Sequence, residues 1–288
     1  MFASFSRVFV FALLAVPALA AGVPSPVPVA PSRVRRTVED GEAFNPTGVV
    51  TRAVPLAGPE ARLTNAQRLA RGLPPRAPHF NTRRRALAAR QSSVPCPQVT
   101  GTILTKDLDG NVFGYVAHAP NAFGEYGKTD NAADALSVVI RTCDTTAPFE
   151  IDTLNGAADH TRFGAILGFA STSSTIDSTS FNYAYFGGTD SVPYGPAQVT
   201  PNTFSAASGI PEGVESTIWT LSGNDLKVTW VNPDGSTPAE HLIFVPSSGA
   251  FALTGNVGLF QGNFGSVTEV TFTFVPNSDS SAPAPEGR

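Results

Sequence analysis

At 288 residues, with 15% charged side chains and a formal net charge of −4, the chain has room for one or two domains. The net charge hides two halves of opposite sign: residues 1–90 hold 13 arginines, no lysine and four acids, giving +9, whereas residues 91–288 hold six cations and 19 acids, giving −13. The acidic half excludes binding to a polyanion, which needs clustered lysine and arginine. The basic half sets its arginines among Pro, Ala and Gly with few aromatics, so nucleic acid is not an expected partner.

The first segment, "MFASFSRVFVFALLAVPALAAG", has one early cation, Arg7, then an apolar run ending in Ala18-Leu19-Ala20. A short apolar stretch before a small-x-small site is the pattern of a secretory signal peptide. Residues 1–20 are therefore expected to be removed after Ala20, and the product to be secreted and extracellular. No later stretch approaches the 18 or so apolar residues of a spanning helix, so no membrane partner is expected.

Residues 21–90 are rich in proline and show no strand alternation. This is the composition of a disordered, basic pro-region. Within it "EARLTNAQRLARGLPP" spaces Leu63, Ala66 and Leu69 as on a short helix, stopped by Gly72 and two prolines. Arg35-Arg36, Arg83-Arg84-Arg85 and Arg90 are candidate sites for a secretory processing protease, with Arg85 or Arg90 ending the removed part. The +9 segment could dock on the −13 core, but a plain spacer is the leading reading, because surface ion pairs between flexible chains contribute little.

From residue 91 to residue 276 the chain reads as short alternating strands separated by turn residues. Candidate strands include "ALSVVIRTC", "RFGAILGFAST", "SFNYAYFGGT", "EHLIFVPSS" and "EVTFTFVP", with hairpins at Asp109-Gly110 and at Gly223-Asn224-Asp225. In "VTFTF" Val270, Phe272 and Phe274 share one face and Thr271 and Thr273 the other, as in a half-buried antiparallel strand. "KTDNAADALSVV" has space for one helical turn capped by Asp130 or Asn131. The expected fold is all-β: a single-domain antiparallel β-sandwich or jelly-roll, with a closed β-barrel as the alternative. Residues 277–288 read as a disordered tail. Cys96 and Cys143 are the two cysteines, and in an exported chain they are expected to form a disulfide.

The motifs that carry chemistry are few. "DLDGN" has the Asp-Gly of a hairpin turn, and His118 stands where a calcium loop needs a bidentate carboxylate. His118, His160 and His241 share no ligand spacing, so neither metal nor cofactor is expected. Carboxylates include Glu125, Asp152, Glu212 and Glu215. Of these Glu212, Glu215 and Asp152 are the candidates for a pair that would hydrolyse a glycosidic bond. Tyr183 and Tyr185 share a strand face with Phe181; with Trp219 they are candidates for stacking on sugar rings, against the alternative that they pack the core. "STSSTIDSTS" and the tail have the composition of O-glycosylated chain.

The pro-segment phrase "LTNAQRLARGLPPRAP", followed by a core containing "GYV", "AFGEYG", "FGAILGFAST", "NYAYFGGT" and "FALTG", resembles secreted proteins of mushroom-forming fungi that have no assigned activity. The similarity covers nearly the whole chain after the signal peptide. It implies lineage and export, and brings no catalytic residues with it. Two functional classes stay open: a non-catalytic extracellular or cell-wall-associated β-domain with wall polysaccharide as its expected ligand, and a carboxylate-dependent carbohydrate hydrolase.

Overall fold

The computed structural model of the chain describes residues 43–58, 65–72 and 96–277. The expected signal peptide with Ala20, the basic clusters with Arg85 and Arg90, and the tail beyond residue 277 lie outside the described residues. The short upstream helix is α1 (Asn65–Ala70).

The core begins with β1 (Gln98–Asp107), β2 (Val112–Pro120), β3 (Tyr126–Thr129), β4 (Ser137–Arg141), β5 (Ile151–Thr153), β6 (Arg162–Leu167) and β7 (Tyr183–Thr189). It continues through β8 (Gln198–Val199), α2 (Thr203–Ser208), β9 (Gly213–Glu215), β10 (Trp219–Ser222), β11 (Asp225–Val228), β12 (His241–Val245), β13 (Ala250–Thr254), α3 (Val257–Phe264) and β14 (Thr268–Pro276). The expected turn after Thr129 is a 3₁₀ turn, Ala132–Asp134, and Asn131 is its cap.

Both expected hairpins form. In the first, Gly110 donates its N–H to the Asp107 carbonyl, and Asn111 binds the Asp107 carboxylate through its N–H and side-chain amide. "DLDGN" is thus a self-satisfied turn. The second joins β10 to β11 with Ser222 opposite Asp225. One further strand, β13, runs through "AFALT"; all five of its residues are buried, which marks a strand covered on both faces.

The strands β14–β12–β13–β7–β6–β5–β4–β1 hydrogen-bond in that order, all antiparallel. β1 then returns to β14 from Gly101↔Pro276 to Asp107↔Val270, which closes an eight-stranded barrel. Of the all-β arrangements open to the sequence, the closed barrel is the one formed. Closure removes the free edges that an open sheet leaves unpaired. β2 and β3 extend from β1, and the β10–β11 hairpin extends from β14.

Side chains alternate across the barrel wall. Inward-facing residues from the wall strands meet in one cluster that includes Ile103, Ile151, Phe163, Phe186, Phe251 and Phe272. An eight-stranded barrel is just wide enough for side chains to fill. Here the rings do so: Phe163 stacks on Trp219 at 5.0 Å and Phe186 meets Phe272 edge-on at 5.3 Å. The Trp219 indole donates to the Phe163 carbonyl at 2.6 Å, so its one polar atom is satisfied. The alternate residues Ile166, Tyr183, Tyr185, Ile243 and Ala252 face outward and form a second apolar cluster.

Cys96 and Cys143 form the expected disulfide. It joins the start of β1 to the end of β4 beside the Gln98↔Arg141 pair, closing a loop with a sequence separation of 47.

Candidate functional site

A barrel wall with an apolar outer face needs a cover. Here α2 supplies Phe204, α3 supplies Phe260 and Phe264, and residues 43–58 supply Phe44. Both helices start at side-chain caps: Asn202 makes a reciprocal capping box with Ser205, and Asn256 accepts the N–H of Leu259. The sequence placed residues 43–58 in a disordered pro-region. The structure seats them on the barrel, in the same compact unit. Arg52 N–H donates to the Ala207 carbonyl, Ala57 N–H to the Gly156 carbonyl, and Ala158 N–H to the Pro55 carbonyl.

The centre of this contact is Phe44. Its ring stacks on Tyr183 at 4.9 Å and meets Tyr185 edge-on at 5.0 Å. Phe260 and Phe264 close around it at 5.9 and 6.0 Å. The hydroxyls of Tyr183 and Tyr185 both donate to the Phe44 carbonyl at 2.6 Å. Those hydroxyls in turn accept the N–H groups of Ala170 and Phe169. Burial, reinforced by Tyr183 and Glu125, holds the Tyr185 hydroxyl well above its ordinary value, so it stays protonated and remains a donor.

Next to Phe44, Asn45 donates its side-chain amide to Glu125 at 3.1 Å. Glu125 is fully buried in the loop between β2 and β3. Asn121 builds that loop: its side-chain oxygen accepts the N–H groups of Phe123 and Glu125, and its amide donates to Glu125 at 2.7 Å and to the Ser248 carbonyl at 3.1 Å. Gly124 is required there, because it has φ +82° and a Cβ would lie 2.3 Å from the Thr203 carbonyl oxygen. The Thr203 hydroxyl donates to the Gly124 carbonyl, which clamps the loop to α2. Burial pushes the Glu125 carboxyl up to about 7, against the opposing hydrogen bonds from Asn121 and Asn45. Two oxygens at this site, Glu125 Oε1 and Asn45 Oδ1, are buried with no hydrogen-bond partner. Beside them a surface cleft of about 390 Å³ is lined by Phe44, Asn45, Asn121, Ala122, Phe123, Ser247 and Ser248.

The residues singled out from the sequence are placed as follows. Tyr183 and Tyr185 do share a face, but it is covered, and both rings are fully buried. Trp219 is fully buried in the interior. Asp152 lies on β5 between Arg141 and Arg162, paired with both. Glu212 is half-buried in the loop entering β9. Glu215 lies opposite Ala165, an inward residue of β6, while Asp152 lies opposite Arg162 and, flanked by buried Ile151 and Thr153, faces outward. Asp152 and Glu215 therefore stand on opposite faces of the wall and do not flank one cleft.

Glu215 pairs instead with Glu240, which sequence reasoning did not single out. Glu215 accepts the N–H of Val231 at 3.0 Å, and Glu240 accepts the N–H of Trp230. Burial is the main cause that holds both carboxyls above their ordinary range, and the Glu240 charge adds to it at Glu215. The two side chains thus clamp consecutive backbone N–H groups of the loop after β11. The histidines stay apart: His118 contacts the Asp134 carbonyl, His160 pairs with Asp190, and His241 pairs with Glu269. Among the described residues no group of three or more His, Cys, Asp or Glu is placed to hold a metal ion, and no helix is long and apolar enough to cross a membrane.

Sequence reasoning passed over Phe44, Asn45 and Asn121. One signal was present: Phe44 is the sole aromatic residue between positions 21 and 79. Comparison of the chain with protein-family models, with curated proteins and with solved structures gives no match.

Proposed function

We propose that the chain is a secreted, non-catalytic β-barrel protein made with a basic pro-region, and that it binds extracellular polysaccharide in the cleft beside Glu125. The observation that carries this reading is the make-up of the cleft: Asn45, Asn121, Phe123, Ser247 and Ser248 line it, and both asparagine amides hold the buried Glu125 carboxyl beside it. Sugar recognition needs an aromatic face and fixed hydrogen-bonding groups around it, and a few well-placed polar groups in a concave site supply specificity.

A pull-down on insoluble wall glucans and chitin tests the reading. Wild-type protein is expected in the pellet, and Ala122→Trp, which fills the cleft from an exposed position, is expected in the supernatant. Equal retention of both proteins, or of neither, would overturn it. The hydrolase is the second reading, favoured by Glu215 and Glu240, since a carboxyl that keeps its proton near neutral pH suits a general acid. Release of reducing sugar that disappears in Glu215→Gln would establish it in place of the first.

A further inference from the structure

We infer that the outer wall of the barrel is a peptide-recognition site whose resident ligand is residues 43–58, and that this segment stays bound as a separate chain when the polypeptide is cut between residues 58 and 96. The inference does not depend on what the cleft binds. It rests on the way the segment is held.

The contact has the parts of a peptide site. An aromatic anchor, Phe44, enters a cage made by Tyr183, Tyr185, Phe260 and Phe264. Buried aromatic anchors in desolvated pockets carry most of the energy in interfaces of this kind. Two hydroxyls aim at the one main-chain carbonyl beside the anchor, and such a pair reads the backbone of any extended peptide. Asn45 then reaches Glu125, which selects for a carboxamide at the following position. Further along, Leu56 makes an antiparallel bridge to Ala157, flanked by the Ala57 and Ala158 backbone bonds. This is strand addition at short range, in which main-chain bonds give affinity and pockets give specificity.

Nothing in this set requires a covalent link through residues 59–95. The anchors are all between residues 44–57 and the barrel, so a cut in the connecting chain breaks none of them. The basic clusters with Arg85 and Arg90, which the sequence offers to a processing protease, lie on that connection. The mature protein would then be a barrel carrying its own excised segment, and the ligand class of the wall is a short peptide that begins with an aromatic-Asn pair and, in the resident copy, carries a single charge at Arg52.

The test uses the full chain with Arg83–Arg85 replaced by the recognition sequence of a site-specific protease. After complete digestion, the mixture is passed over a gel-filtration column in native buffer at micromolar concentration, and the fractions are separated on a denaturing gel. The N-terminal fragment is expected to co-elute with the barrel. In Phe44→Ala it is expected to leave about 30-fold faster or more, and to elute alone. If Phe44→Ala does not accumulate, Phe44→Leu is read in its place, and release faster than wild type is expected. Added peptide of sequence 43–58 should exchange with the bound fragment, whereas a scrambled peptide should not. Separate elution of the wild-type fragment overturns the inference, as does retention of the variant fragments as firm as that of wild type.

Discussion

Phe44 stacks on Tyr183 with ring centroids 4.9 Å apart, although 139 positions separate them in the chain. The Tyr183 hydroxyl donates to the carbonyl of that same phenylalanine. The contact ties a segment with the composition of a disordered pro-region to a barrel strand that is buried along its whole length.

Removing one donor from this carbonyl is expected to cost about 1–2 kcal/mol, since the site is buried and no water replaces the lost hydroxyl. Tyr183→Phe and Tyr185→Phe should each lower the urea midpoint by a similar amount. Together they should cost more than the sum, because the second removal leaves the Phe44 carbonyl with neither of its tyrosine donors. Denaturant titration of both single variants and the double variant measures this.

Stability should fall as pH rises. In an unfolded chain the carboxyl of Glu125 ionises near 4.5; in the folded protein burial delays this to about 7. Between those values the folded state holds more protons than the unfolded state, so each rise in pH favours unfolding. At about 1.4 kcal/mol per unit, Glu125 alone costs about 3 kcal/mol by pH 8. Glu215 and Glu240 are shifted the same way and extend the loss to higher pH. Melting temperature is expected to be highest near pH 4.5 and to fall through pH 8. Glu125→Gln should flatten the part of that slope below pH 7.

Reducing the disulfide should cost about 4 kcal/mol, the chain entropy of a loop of this length. Its ends lie beside a paired register, Gln98↔Arg141, so the native geometry remains available without the bond. Cys96→Ser with Cys143→Ser is expected to fold to the same barrel with a lower melting temperature. Loss of the folded state altogether would show that the β1–β4 pairing depends on the covalent link.

Trp219→Phe is expected to cost about 3 kcal/mol. The change leaves a cavity where the indole stacks on Phe163, and it leaves the Phe163 carbonyl without its 2.6 Å donor. By contrast, Asp152→Asn should cost about 1 kcal/mol or less, as expected for an ion pair near the surface. Polysaccharide binding should be unchanged in Asp152→Asn. A loss of binding in that variant, with its melting temperature intact, would move the ligand site to β5.

The sequence by itself determined the class of the fold, most of its strands, two of its turns and its disulfide. Those depend on short-range rules: period-two alternation in "VTFTF", the Asp-Gly at 109–110, and two cysteines. It also marked Tyr183 and Tyr185 as one face of one strand. Only the tertiary structure decided that β1 closes on β14, because closure depends on twist and stagger summed over eight strands rather than on any one of them. The same holds for the site. Phe44, the Asn121–Glu125 loop and Tyr185 come from three separate stretches of chain, and no local pattern links a lone aromatic in a proline-rich segment to the wall that receives it. Apolar burial acts between whatever surfaces the fold brings together, so the partner of Phe44 is set by the barrel's outer face and not by its neighbours in sequence.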